Sequence, residues 1–419
     1  MKKGFDIKND VVERFIGYAR VNTQSKDGEP DTPSTACQRD LAKILCDELK
    51  AFGIKDVTYD KKTCYVYAFM PSNRPGKKAA SKFSPIAFIA HLDTSPESSG
   101  KGVKPLIHKN YDGKVIKYPA NKELTLSPKE SPQLMDEIGR EVITSDGTTL
   151  LGADDKAGVA EIMTAVRVLT EAGSTIEHGD IYIVFTPDEE VGNGTANFDK
   201  KLCKARFGYT LDGEDAGELN CETFNARQAV VEFTGVNTHP GSAYGRMKNT
   251  IYAMASLISK IPGNMRPETT KERTGFFHPL EAESAVEHSK IKMIIRDFDE
   301  KKMDAKCKKL GDIVKSVQKE FAGVKIKLTI KDQYQNMGVI IKKHPDFMKL
   351  TERAVKDAGL KPFYRAIRGG TDGARLTFMG IPTLNLFAGM FNPHSKNEWA
   401  SVRAMEFAVK TIVNIAKLA

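Results

Sequence analysis

Residues 86–93 read Ile86-Ala87-Phe88-Ile89-Ala90-His91-Leu92-Asp93. Apolar residues in an unbroken short run that stops on polar ones are the pattern of a strand buried on both faces, because a half-exposed strand alternates and a helix needs a longer periodic run. The pattern recurs downstream. Ile181 to Phe185 runs into Thr186-Pro187-Asp188-Glu189-Glu190, Phe207 to Leu211 runs into Asp212, and the strand expected at Thr383 to Phe387 precedes His394 by a loop. Helical periodicities lie between. Leu41, Ile44, Leu45 and Leu49 share a face that closes at Gly53; Val159, Ile162, Met163, Val166 and Leu169 share another that opens at Asp154 and closes at Gly173. Further helices are expected near Asp346 to Asp357 and over Ala404 to Leu418. Strands alternating with helices predict an α/β domain, a mainly parallel sheet flanked by helices.

Near Phe224 the pattern changes. Gln228 to Thr234 predicts a strand, and Met247, Ile251, Met254, Ile258 and Ile261 a helix. Gly275 to Pro279 and Lys290 to Arg296 predict two strands. Met303, Cys307, Leu310, Val314, Val317 and Phe321 then mark a second helix, and Val324, Ile326, Leu328 and Ile330 alternate as a last strand. The order β-α-β-β-α-β is that of a ferredoxin-like α+β sandwich. The expected organisation is a discontinuous catalytic domain, residues 1–222 and 337–419, carrying an inserted domain over 223–336. Residues 97 to 150, rich in Gly, Pro, Ser and Lys, read as hairpins and loops on the surface.

With 419 residues the chain has room for two or three domains, and its 40% hydrophobic and 28% charged content is ordinary for a globular protein, with no Pro/Gly excess, low-complexity tract or repeat to suggest a linker protein or solenoid. No apolar run approaches the roughly 18 residues of a membrane span, so no membrane is expected. Asp6, Lys8, Asn9 and Asp10 stand where the apolar core of a leader would lie, and a cytoplasmic location is the expectation. The six cysteines are dispersed, without Cys-x-x-Cys, and read as reduced thiols. A net charge of +9 spread along helix faces without interleaved aromatics reads as a solubility feature, with no nucleic-acid partner.

The polar residues fall where chemistry is expected. His91 and Asp93, Glu189 and Glu190, and Asp212 each follow the C-terminal end of an expected strand, the edge at which open α/β sheets bind ligands. Singly they have ordinary readings. Asp154-Asp155 is an N-cap with a dipole-favoured acid, Glu189-Glu190 a solvated pair, and Asp212-Gly213 a turn. Placed on one edge, two histidines with carboxylates and no thiol make a nitrogen and oxygen donor set suited to zinc, cobalt or manganese.

Six motifs carry a wider resemblance: Ala90-His91-Leu92-Asp93-Thr94-Ser95-Pro96, Leu151-Gly152-Ala153-Asp154-Asp155-Lys156-Ala157-Gly158, Phe185-Thr186-Pro187-Asp188-Glu189-Glu190-Val191-Gly192, Asn237-Thr238-His239-Pro240-Gly241, Ile294-Ile295-Arg296-Asp297-Phe298-Asp299 and Ile367-Arg368-Gly369-Gly370-Thr371-Asp372-Gly373. In this order and spacing, from about Phe15 to the C-terminus, the chain resembles the peptidase T family. These are tripeptide aminopeptidases among the co-catalytic zinc metallopeptidases, which also hold carboxypeptidase G and the aminoacylases.

The resemblance implies an aminopeptidase with two Zn2+ per chain, Co2+ or Mn2+ being possible. His91, Asp154 and Asp212 would hold one ion and Asp154, Glu190 and His394 the other, with Asp93 orienting the His91 ring. Glu189 would be the general base toward a water bridging the ions. The inserted domain would serve as lid and dimerisation domain of a homodimer, with His239 stabilising the oxyanion. Arg296 and Arg368 would anchor a small peptide substrate, Gly369 letting backbone approach. A dipeptidase or an amidohydrolase of N-acyl amino acids would use the same metal constellation. Where the family commonly has His-Gly-Lys, this chain reads His394-Ser395-Lys396.

Overall fold

The strand read at Ile86 to Ala90 is present as Ile86–His91, buried throughout. A computed structural model describes residues 5–75, 82–171 and 174–419. In it, Ile86–His91 lies fourth in an eight-stranded sheet ordered Asp56–Tyr59, Val66–Met70, Ile181–Thr186, Ile86–His91, Phe207–Gly213, Thr383–Phe387, Glu218–Asn220, Phe363–Tyr364. The four strands from Ile181–Thr186 to Thr383–Phe387 run parallel, and the Asp56–Met70 hairpin closes one edge antiparallel. Register places His91 beside Thr186, so the loops after both strands leave the sheet at one level. That shared edge is where a parallel sheet presents its loops to a ligand.

Both faces of this sheet are covered, which is why its central strands are apolar without alternation. Ala87 and Ile89 join a cluster with Tyr65, Tyr67, Val184, Leu376 and Ile381. The helix Ala153–Thr170 packs on Ile86–His91 and Phe207–Gly213 and is itself covered by Ile7–Ala19 and Val402–Leu418. Asp154 and Asp155 depart from helical geometry, so regular helix begins at Lys156. The stop expected at Gly173 lies outside the described residues.

Two expectations are corrected. Ile44, placed on the buried face of its helix, is 38% exposed, because the buried stripe of Gln38–Ala51 runs through Gln38, Leu41, Ala42, Leu45, Cys46 and Leu49 and leaves Ile44 on its rim. Residues 97–150 are also more than surface loop. Leu106–His108 and Val142–Thr144 join Met390–Phe391 and Trp399–Ser401 in a second, four-stranded sheet. Tyr111, Tyr118, Leu134 and Val142 pack around Trp399 as a core of their own. Their apolar residues come singly or in pairs between polar residues, Gly and Pro, so no period betrays them.

The unit just described comprises Met1–Cys221, Ile340–Arg365 and Thr371–Ala419, and a second comprises Glu222–Val339 with Ala366–Gly370. In the second, Phe276–Ser284, His288–Asp297, Asn225–Thr234 and Lys325–Tyr334 form an antiparallel sheet in that order. The helices Thr250–Lys260 and Glu300–Glu320 complete the β-α-β-β-α-β order. Val231, Phe233, Ile291, Met293 and Ile295 of the sheet meet Leu257, Met303, Leu310 and Val317 of the helices in a single core. Each such side chain, once buried, contributes roughly 1.5–3 kcal/mol.

Candidate metal centre

His91 ends its strand and is only 3% exposed. Its Nε2 lies 2.9 Å from Asp154 Oδ1 and 3.9 Å from Asp212 Oδ1. Its Nδ1 faces Asp93, 3.1 Å from the carbonyl and 3.3 Å from Oδ1. Asp93 does a second thing that spacing did not foretell: its carboxylate accepts the backbone N–H groups of Glu189 and Glu190 at 3.0 and 3.2 Å. One buried side chain thus fixes the His91 ring and the turn that carries both glutamates.

On the other side of Asp154, its Oδ2 is 3.4 Å from His394 Nε2, which lies 2.7 Å from Glu190 Oε2. Glu190 Oε1 is buried without a hydrogen-bond partner among the described residues. His394 Nδ1 stands 3.4 Å from Glu97 Oε2. Left-handed backbone in this loop falls at Asn392 and His394, with φ of 53° and 61°, and not at residue 395. Ser395 donates its hydroxyl to Asn392 O at 2.8 Å and accepts Asn397 N–H, so the loop has no need of glycine there. Asp212 is held by its neighbouring strand, where Asn385 Oδ1 accepts Asp212 N–H and Asn385 Nδ2 donates to Asp212 O.

The electrostatics show a surplus of negative charge. Burial and then the charge of Asp154 push Glu190 up to about 7 and Asp212 well above the carboxylate range. Glu189 is raised by burial and then by Asp372. His394 rises to about 11 through hydrogen bonds to Asp154 and Glu190, while His91 is raised in spite of its burial by Asp154 and Asp93. Two imidazoles cannot offset the carboxylates around them; divalent cations can. The donor atoms fit such ions. His91, Asp154 and Glu190 can converge on one point, and so can His91, Asp155 and Asp212. The second grouping replaces Asp154 by Asp155, but Asp155 Oδ2 already accepts His91 N–H at 3.1 Å. Asp154, facing both imidazoles, is the better placed of the two. A methyl group on Gly158 would stand 2.2 Å from Leu211 O and 2.4 Å from Asp155 Oδ1, so only glycine lets the helix approach the strand here.

Glu189 is half-buried, and its carboxylate has no hydrogen-bond partner among the described residues. Near it lies Asp372, which stands in the quoted Ile367–Gly373 motif without a role of its own there, buried and pushed up to about 6 by that burial. Its Oδ2 accepts the Thr186 hydroxyl at 2.8 Å. Asp188, with φ of 59°, is likewise tied down, its carboxylate accepting from Ser34 N at 2.7 Å, Ser34 Oγ at 2.6 Å and Gln38 Nε2 at 2.6 Å.

The remaining candidates belong to the second unit. His239 is exposed, and its Nδ1 accepts Gly241 N–H at 3.1 Å, which assigns the ring proton to Nε2. Arg296 is buried over the Tyr334 ring and donates to Ile295 O at 3.1 Å. Arg368 donates to Glu272 O, Thr274 O and Thr270 Oγ1 at 2.7, 3.0 and 3.0 Å and lies over Phe224 and Phe276. Both guanidinium groups are engaged within their own unit. Gly369 follows Arg368 in the Ala366–Gly370 segment.

The chain is similar to known proteins in sequence and in fold. The profile of Peptidase family M20/M25/M40 matches residues 146–418. Peptidase T of Clostridium perfringens is 45% identical over 408 residues, covering 97% of this chain and 98% of its own. Peptidase T of a Clostridium botulinum strain is 44% identical over 409 residues, 98% of each. Among solved structures, aminopeptidase PepT from Bacillus cereus superposes with a TM-score of 0.74 at 25% identity over 98% of both chains. Bacillus subtilis YXEP, described as a dinuclear metal-binding peptidase of the M20 family, shares the fold with a TM-score of 0.66 at 11% identity, again over 98% of both.

Proposed function

Since the chain belongs to peptidase family M20/M25/M40, we propose that it is a metal-dependent aminopeptidase that releases the N-terminal residue of tripeptides. The observation that carries the reading is the meeting of His91, His394, Glu190 and Asp212 around Asp154, with Glu189 beside them and unpaired among the described residues. His91, Asp154 and Asp212 would hold one divalent ion, and Asp154, Glu190 and His394 the second. Zinc suits the donor set, and cobalt or manganese would also be accepted. Such ions, when bound, polarise a scissile carbonyl and acidify a water.

The chain's own residues supply the rest. Asp93 holds the His91 ring through Nδ1 and leaves Nε2 to the centre. Glu189, whose burial already favours taking up a proton, removes one from the attacking water and returns it to the leaving peptide nitrogen, so no net proton is consumed. His239 keeps a free Nε2–H, the kind of donor that a developing oxyanion requires, and we assign it that part. The aminopeptidase direction is supported by the aminopeptidase PepT neighbour named above, and the tripeptide preference rests on the resemblance to the peptidase T family.

We further read the protein as a cytoplasmic homodimer joined through the second unit, whose sheet has Phe276–Ser284 and Lys325–Tyr334 as its edges. No helix among the described residues is long and apolar enough to cross a membrane. A hydrolysis panel with light scattering of the same sample tests the reading. Free tripeptides should be cleaved at the first bond, and N-blocked tripeptides, dipeptides and N-acyl amino acids should be poor substrates. In that assay His239→Ala is expected to lower turnover without changing metal content. Preferred cleavage of N-acyl amino acids would make the protein an amidohydrolase instead.

A further inference from the structure

Glu398 closes the segment His394-Ser395-Lys396-Asn397-Glu398 and is 1% exposed. Its Oε2 accepts the backbone N–H groups of Leu151 and Gly152, each at 2.7 Å, and its Oε1 accepts that of Asp154 at 2.9 Å. These donors belong to the turn that delivers Asp154, where Gly152 takes a φ of 78°. One carboxylate thus binds the Asp154 turn to the loop that carries His394, across 244 residues of sequence. Asp154 is the side chain that meets both His91 and His394.

We propose that Glu398 is a positioning residue of the metal centre: by gathering three backbone N–H groups it fixes Asp154 relative to His394 and so sets the affinity for divalent ions. The inference rests on the metallopeptidase reading above. Its chemistry is specific to a carboxylate. A glutamine of the same shape has one oxygen and one NH2 group, so in either orientation at least one backbone N–H would face another donor. Aspartate keeps both acceptors but is shorter by one methylene.

The test compares wild-type protein, Glu398→Gln and Glu398→Asp. Each is stripped of metal and titrated with Zn2+ against a competing chelator, with unfolding followed in the metal-free and loaded forms. Removing a partner that orients a ligand typically weakens metal binding about 10–100-fold, and that loss is expected for Glu398→Gln. Glu398→Asp should lose affinity too, and excess Zn2+ should restore turnover with KM for the peptide unchanged. Should Glu398→Gln fail to fold, the aspartate variant decides alone. Unchanged Zn2+ affinity in a folded variant, or an equal fall in the unfolding midpoint of both forms without loss of affinity, overturns the inference and marks the residue as structural only. A wild-type protein that binds no Zn2+ overturns the metallopeptidase reading beneath it, a failure separate from that of the variants.

Discussion

Glu189→Gln is expected to lower the turnover of tripeptide hydrolysis by roughly 10²–10⁴-fold, the usual contribution of a positioned general base. Metal content should not change. Glu189 touches neither imidazole within bonding distance, and its backbone N–H, held by Asp93 at 3.0 Å, is unaffected by the side-chain change. Its neighbour Glu190 is placed for a different task, with Oε2 at 2.7 Å from His394 Nε2 and Oε1 unpartnered among the described residues. Glu190→Gln should therefore lose one ion per chain. Measuring kcat and metal content of both variants separates the roles. Exchanged phenotypes would reverse the assignment, and two fully active variants would place the chemistry elsewhere.

Asp154→Asn should have the larger effect, because both carboxylate oxygens are committed. Oδ1 lies 2.9 Å from His91 Nε2 and Oδ2 3.4 Å from His394 Nε2, so an amide must turn its NH2 toward one side. That side loses an anionic ligand, and the other loses half of a shared charge. Binding of both ions is expected to weaken, and activity to fall by at least the roughly 10²–10⁴-fold of the Glu189 variant. Mass spectrometry of the metal content beside steady-state kinetics checks it. Retention of two ions with near-normal kcat would show that Asp154 is not the shared ligand, and would return Asp155 to consideration.

Much of this architecture is legible in the chain. Ile86–His91 and Ile181–Thr186 announce themselves because burial on both faces demands unbroken apolar runs, and His91 and Glu189-Glu190 are marked by following such runs. What stays hidden is held by contacts far apart in sequence. Asp372 reaches Thr186 across 186 residues and Asn385 reaches Asp212 across 173, and nothing near either residue records the pairing. The Trp399 core escapes for another reason: its members come from Tyr111 to Val142 and from Phe391, none of them in a periodic run. Ala366–Gly370 likewise clusters with the second unit although the chain has by then left it, an assignment that the bonds of Arg368 to Thr270 and Glu272 explain.

The central claim is that two divalent ions, held around Asp154, are required for peptide hydrolysis. Its most direct test is to remove metal with a chelator, titrate Zn2+ back and follow release of the N-terminal residue from a free tripeptide while bound metal is counted. Hydrolysis should be absent from metal-free protein and should return in step with occupancy, reaching its plateau at two ions per chain. Full hydrolysis by protein shown to be metal-free would contradict the account.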